Sequence, residues 1–95
     1  MSWYTYIILC SDDSLYTGIS NEPKRRFGEH QNGNGAKYFY ARKPLQIVYL
    51  EALQNRSLAS KREAQIKKLK AKQKRQLITS DQNQLKDHPE YFKLD

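Results

Sequence analysis

A single cysteine occurs among the 95 residues, which excludes an internal disulfide. One thiol fits a reducing compartment, and Cys10, closing an apolar run, reads as a small core residue. Cysteine–histidine zinc spacing is missing, as are a phosphate-cradling glycine loop and a serine-triad motif. No stretch nears the roughly 20 apolar residues of a membrane span. The opening residues Met1 to Tyr4 lack the basic start and long apolar stretch of a secretory signal. A soluble cytoplasmic protein is the expectation. Acids are scarce too, 10 against 17 lysines and arginines.

Positive charge is what the chain has. The formal net charge is +7 and the isoelectric point is near 9.6. Such a balance favours a polyanion, nucleic acid first. A merely soluble basic protein has the same composition. The length allows one domain with a thin core, so any site must be built from the scaffold itself. The domain is expected over residues 1–80, followed by a polar tail over 81–95 that docks weakly or frays.

Residues 3–10 are almost entirely aromatic, β-branched or apolar, the pattern of a strand buried on both faces and central in its sheet. Turn chemistry at residues 11–14 leads to a second strand from Leu15 to Ile19, giving a hairpin. Gly18 lets another backbone or a ligand come close. A first helix is expected from near Asn21 and Pro23, with Asn21 as cap, to about Gln31. It ends in the loop Asn32-Gly33-Asn34-Gly35. A basic, aromatic connector over 36–43 precedes a third strand from Leu45 to Ala52, with Leu45, Ile47 and Tyr49 sharing a face. A second helix is expected with Ser57 as cap and Leu58, Ile66 and Leu69 on its apolar side. A short third helix should cover Lys72 to Thr79. The class is α/β (α+β): a three-stranded antiparallel sheet flanked by helices, in the order β-β-α-β-α-α.

Several side chains could carry chemistry. Arg26 and His30 stand four apart, hence on one helix face. The guanidinium matches a phosphate, and the imidazole titrates near neutrality. A solvated basic face, with Lys24 and Arg25 beside them, is the competing reading. Tyr6 and Tyr16 fall on paired strands, in a register the sequence leaves open. Cations nearby would lower a phenol's pKa and let it accept a proton from water. Tyrosine is also an ordinary strand residue. Glu63 is the only acid between Arg56 and Arg75, among nine lysines and arginines. It sits at the edge of an apolar stripe, where one carboxylate could hold a magnesium or manganese ion that keeps its waters. A surface ion pair with Lys67 is the competing reading, and the residues alone favour it. Lys37, Tyr38, Phe39, Tyr40, Arg42 and Lys43 could grip phosphates and stack unpaired bases, or cover the sheet. Lys67 and its neighbouring lysines could follow a duplex backbone.

Taken in order, these residues resemble the GIY-YIG nuclease superfamily. Tyr4-Thr5-Tyr6 matches the first motif in Tyr6 alone, and Tyr16-Thr17-Gly18 matches the second. The stretches YTGISNEPKRRFGEH (16–30) and REAQIKKL (62–69) are the strongest matches. The chain is most similar to the short, stand-alone bacterial members of the UPF0213 type. The resemblance implies metal-dependent hydrolysis of nucleic-acid phosphodiesters. It casts Glu63 as ligand of one Mg2+ or Mn2+, Arg26 and His30 as partners of the phosphate, and Tyr6 as base with Tyr16 in support. Lys24, Arg25, Lys37, Tyr38, Arg42, Lys43 and Lys67 would bind nucleic acid. Ile19 stands where excision-repair relatives carry a lysine. The extra DNA-targeting domain of many relatives is lacking, which implies a structure-selective or partner-directed enzyme. A non-catalytic basic module is the alternative, and a protein partner is a further one.

Overall fold

The hairpin is the scaffold on which the rest is laid. The computed structural model describes residues 2–33 and 36–91; Asn34, Gly35, Phe92 and Leu94, which figure in the loop and tail expectations, lie outside the described residues. Strand β1 (Trp3–Cys10) turns at residues 11–14 into β2 (Leu15–Ser20). The turn is fixed locally: the Asp12 carboxylate accepts from the backbone and hydroxyl of Ser14, and Asp13 takes a left-handed φ of 70°, a conformation Asp tolerates better than most residues. Strand β3 (Pro44–Leu53) then pairs on the other side of β1, and the sheet order is β2-β1-β3, antiparallel throughout. The apolar run of β1 is thus central, with Thr5 to Ile8 and Cys10 buried.

Helices cover both faces. Tyr6, Ile8 and Cys10 form one layer with Phe39, Ile47, Leu50 and Leu85, against which Phe27 of helix α1 (Pro23–Gln31) packs. Ile7 and Tyr49 form the other with Ile66 of α2 (Arg56–Lys67), closed by Leu77 and Ile78 of α3 (Ala71–Ile78). The connector holds a single 3-10 turn, Lys37–Tyr40, and two more short turns follow at Leu85–Asp87 and Pro89–Tyr91. Among the described residues no helix is long and apolar enough to cross a membrane.

Four local expectations change. Asn55, rather than Ser57, caps α2, its side-chain oxygen accepting from Leu58 N–H at 2.9 Å. Glu22, rather than Asn21, precedes α1, and Ser20 Oγ accepts the Glu22 N–H. On α2, Ala59 is buried with Ile66 while Leu58 is exposed. Leu45, Ile47 and Tyr49 do not share a face either: Ile47 and Tyr49 lie in opposite layers and Leu45 is exposed. The cause is irregular pairing. Ile7 pairs with Tyr49 but Ile8 with Ile47, so Val48 is an extra residue that resets the alternation.

The segment after α3 docks on the outer edge of β3. Asn83 Oδ1 accepts from Leu50 N–H while its amide donates to the carbonyls of Val48 and Ile78. Gln84 donates its backbone N–H to Leu50 O and accepts from Ala52 N–H. Leu85 then enters the core.

Candidate active site

The site grows from the register of the hairpin. Tyr6 pairs with Gly18 and Ile8 with Tyr16. Directly paired residues share a face, as do residues two apart on one strand. Both tyrosines therefore face the same layer as diagonal neighbours, which resolves the register left open above. Gly18 is what lets them fit: a Cβ there would lie 2.7 Å from Tyr6 Oη and 3.0 Å from a Tyr16 ring carbon. The close approach expected at this glycine is made by a phenol, not by a backbone or a ligand.

Helix α1 lays its last turn over the pair. His30 is buried, its Nε2 3.3 Å from Tyr6 Oη. The Ala36 backbone N–H donates to His30 Nδ1, so the neutral ring carries its proton on Nε2 and donates it to the Tyr6 oxygen. Burial, joined by the Arg26 charge, pushes the His30 pKa down to about 4. The imidazole is neutral at physiological pH, not poised near neutrality as its residue type suggests. The Tyr16 ring stands edge-on to His30 at 5.4 Å, with Phe39 and Tyr38 against it.

Arg26 lies one turn before His30, its guanidinium held 2.8 Å from the Glu29 carboxylate. That contact raises its pKa further. Glu29 was not singled out in the sequence, although its spacing of three from Arg26 on a helix is a readable signal.

The phenols do not respond to cations as the composition suggests. Both pKa values are raised, chiefly by burial. Arg26 opposes the shift in both, and Lys67 is the strongest charge opposing it in Tyr16. The two phenolates would repel each other, and burial makes the upward shift larger in the more enclosed Tyr6. Tyr16 is thus the less perturbed of the two.

Glu63 approaches from α2, which packs on the other layer. Its side chain is about four-fifths covered and pairs with Lys67 at 3.3 Å. Its charge acts on both phenols. The ion pair with Lys67, posed above against metal binding, is present, and the carboxylate also acts on the phenols. Among the described residues no group of three His, Cys, Asp or Glu side chains gathers for a metal. One carboxylate does not fit zinc, which wants three or four protein ligands. It fits a hard ion that keeps its waters and takes phosphate oxygens.

The remaining expected binding residues divide. Lys24, Arg25, Lys37 and Lys67 are exposed, though Arg25 meets Glu22 and Glu29. Arg42 is fixed by Asp12 at 2.7 Å and lies 4.1 Å from the centre of the Tyr38 ring. Of the connector's rings, Phe39 is core and Tyr40 is 75 % exposed. Arg62, within the second matching stretch, is structural: it bonds Glu51, itself bonded by Tyr49, and Gln82.

Residues 2–76 match the family model of the GIY-YIG catalytic domain, and the chain belongs to that family. Within it, the relatives are UPF0213 proteins. One from Clostridium perfringens is 49 % identical over 77 residues, covering 81 % of this chain and 83 % of its own. The solution structure of a UPF0213 protein from Bacillus halodurans superposes with a TM-score of 0.55 at 35 % identity, covering 86 % of this chain and 87 % of that one. The solution structure of an E. faecalis protein superposes at 0.56 with 41 % identity, covering 83 % and 85 %.

Proposed function

We propose that the domain is an endonuclease that hydrolyses nucleic-acid phosphodiesters, most readily in DNA, with one Mg2+ or Mn2+ held by Glu63. The observation that carries this reading is the gathering of Tyr6 and Tyr16 at Gly18 with His30 against both, and with the Arg26 charge acting on both phenols. Family membership is consistent with it.

Arg26 would hold the scissile phosphate, its fork already oriented by Glu29. Tyr16, half-buried and the less perturbed phenol, is the better base for the attacking water. Tyr6 is enclosed and receives the His30 proton, so it serves as a relay and positioning group, not as the base its motif suggested. Lys67 supplies next to Tyr16 the positive charge that Ile19 cannot. A bound divalent ion contributes Lewis-acid stabilisation of the phosphate charge.

Nicking of supercoiled plasmid with Mg2+ or Mn2+ tests this. Glu63→Ala should abolish cutting and spare binding, and Tyr16→Phe should cost more than Tyr6→Phe. A second reading, a non-catalytic basic nucleic-acid module, is favoured by the raised phenol pKa values and by the Lys67 grip on Glu63. It prevails if wild type and Glu63→Ala bind alike and neither cuts any branched, damaged or single-stranded substrate.

A further inference from the structure

Behind His30 lies a groove that the chemistry above does not use. It encloses about 520 Å3, and its described walls come mainly from the end of α1 and the connector, with Ser11 of the hairpin turn and Pro44 of β3: His30, Gln31, Phe39, Tyr40, Arg42 and Lys43 are among them. No described lining residue is acidic. Asp12, outside the lining, accepts from Arg42 Nε. Arg42 also donates through Nη1 to the Tyr38 carbonyl and lies over the Tyr38 ring. Its contacts among the described residues leave Nη2 unengaged, so one nitrogen of a fixed guanidinium remains for an anion. Tyr40 is the most exposed large hydrophobic side chain among the described residues, at 75 %, and it stands on this rim.

We infer that this groove is a pocket for one unstacked nucleotide flanking the scissile phosphate, with the base stacked on Tyr40 and its phosphate held by Arg42 and Lys43. Three features point to this occupant. The volume suits a single nucleotide and not a duplex. Base-stacking on an exposed ring needs no sequence readout. The positive rim matches a phosphate, which an apolar ligand would waste. His30 lines this groove and also bonds Tyr6, so the pocket and the reacting centre share a wall. The substrate class follows: single strands, bulges or frayed junctions in preference to blunt duplex. The inference rests on the nuclease reading only for what lies on the other side of His30.

The test uses the full chain in EDTA, where no cutting occurs. The probes are a single-stranded DNA 12-mer carrying a 2-aminopurine, the blunt duplex of the same sequence, and that duplex with a three-nucleotide bulge. The strand and the bulge should bind tighter than the duplex, with 2-aminopurine fluorescence quenched on binding. Tyr40→Ala should weaken binding to the strand by on the order of tenfold, within the usual range for base–aromatic stacking. It should reverse the quenching and leave duplex affinity unchanged, and Tyr40→Trp should restore both losses. Equal loss on strand and duplex, or no loss on either, overturns the pocket. Plasmid nicking by Tyr40→Ala is read separately: retained nicking with lost strand preference supports the pocket beside an intact reacting centre, while retained nicking with unchanged preference overturns the pocket and leaves the nuclease reading standing.

Discussion

The His30 imidazole is pinned between two partners, the Ala36 N–H on Nδ1 and the Tyr6 hydroxyl on Nε2. That pinning sets the tautomer and ties the first motif strand to the first helix, while burial keeps the ring neutral. It has a consequence for stability. The folded-state pKa of about 4 lies below the ordinary 6.5. Between those values the unfolded chain binds a proton that the folded chain refuses, so stability falls as pH drops from 6.5 toward 4 and levels off below. At about 1.4 kcal/mol per pH unit, the loss approaches about 3 kcal/mol. Urea unfolding at pH 7 and pH 4.5 measures it. His30→Gln should remove most of that difference; a variant with the same acid sensitivity as wild type would place the cause among the carboxylates.

Gly18 should tolerate nothing larger. The added carbon of Gly18→Ala meets Tyr6 Oη at 2.7 Å and the adjacent ring carbon at 2.8 Å. Tyr6 is buried at the sheet centre and cannot swing aside freely, so overpacking should cost about 1–3 kcal/mol. Plasmid nicking should fall more than stability predicts, because the displaced ring leaves His30. Wild-type nicking by a folded Gly18→Ala chain would remove Tyr6 from the mechanism.

The second motif contains an opposite opportunity at Thr17. Its side chain is buried, and its hydroxyl has no hydrogen-bond partner among the described residues. A buried, unsatisfied hydroxyl costs about 1–3 kcal/mol. Thr17→Val keeps the shape and removes the cost, and should raise Tm by several degrees with the same nicking rate. A lower Tm would mean that a bound water satisfies the hydroxyl.

Lys67 competes for the carboxylate assigned to the metal. Removing its charge in Lys67→Met should tighten Mn2+ binding by about twofold, the scale of an i,i+4 ion pair. Titration of Mn2+ followed by electron paramagnetic resonance reads this without any turnover. If Lys67 also assists Tyr16, the same variant binds metal better yet cuts more slowly. Weaker Mn2+ binding would contradict the competition.

How much of this was readable beforehand depends on the range of the interactions involved. The central place of β1 followed from its unbroken apolar run, because alternation is lost only when both faces are buried. The clustering of Arg26 and His30 followed from helical spacing. The environment of each group did not follow. Sequence suggested that surrounding cations would lower the phenol pKa values and leave His30 near neutrality. Desolvation dominates all three, and it depends on the depth of packing supplied by Phe39, Ala36 and Tyr38 from a connector with no periodic signature. The Val48 irregularity was hidden for the same reason, since an extra residue in β3 has no mark of its own in an apolar strand. Glu29 was the readable omission.

The outer margin of β3 is closed by amide side chains of Asn83 and Gln84 and not by a fourth strand. A protein shortened to the span of the family model would lose this cover and carry a bare row of donors and acceptors beside an apolar strand. Such a fragment would tend to join with its own copies into ribbons. Yet this short extension carries no part of the proposed chemistry. What it secures is that the small sheet stays solitary.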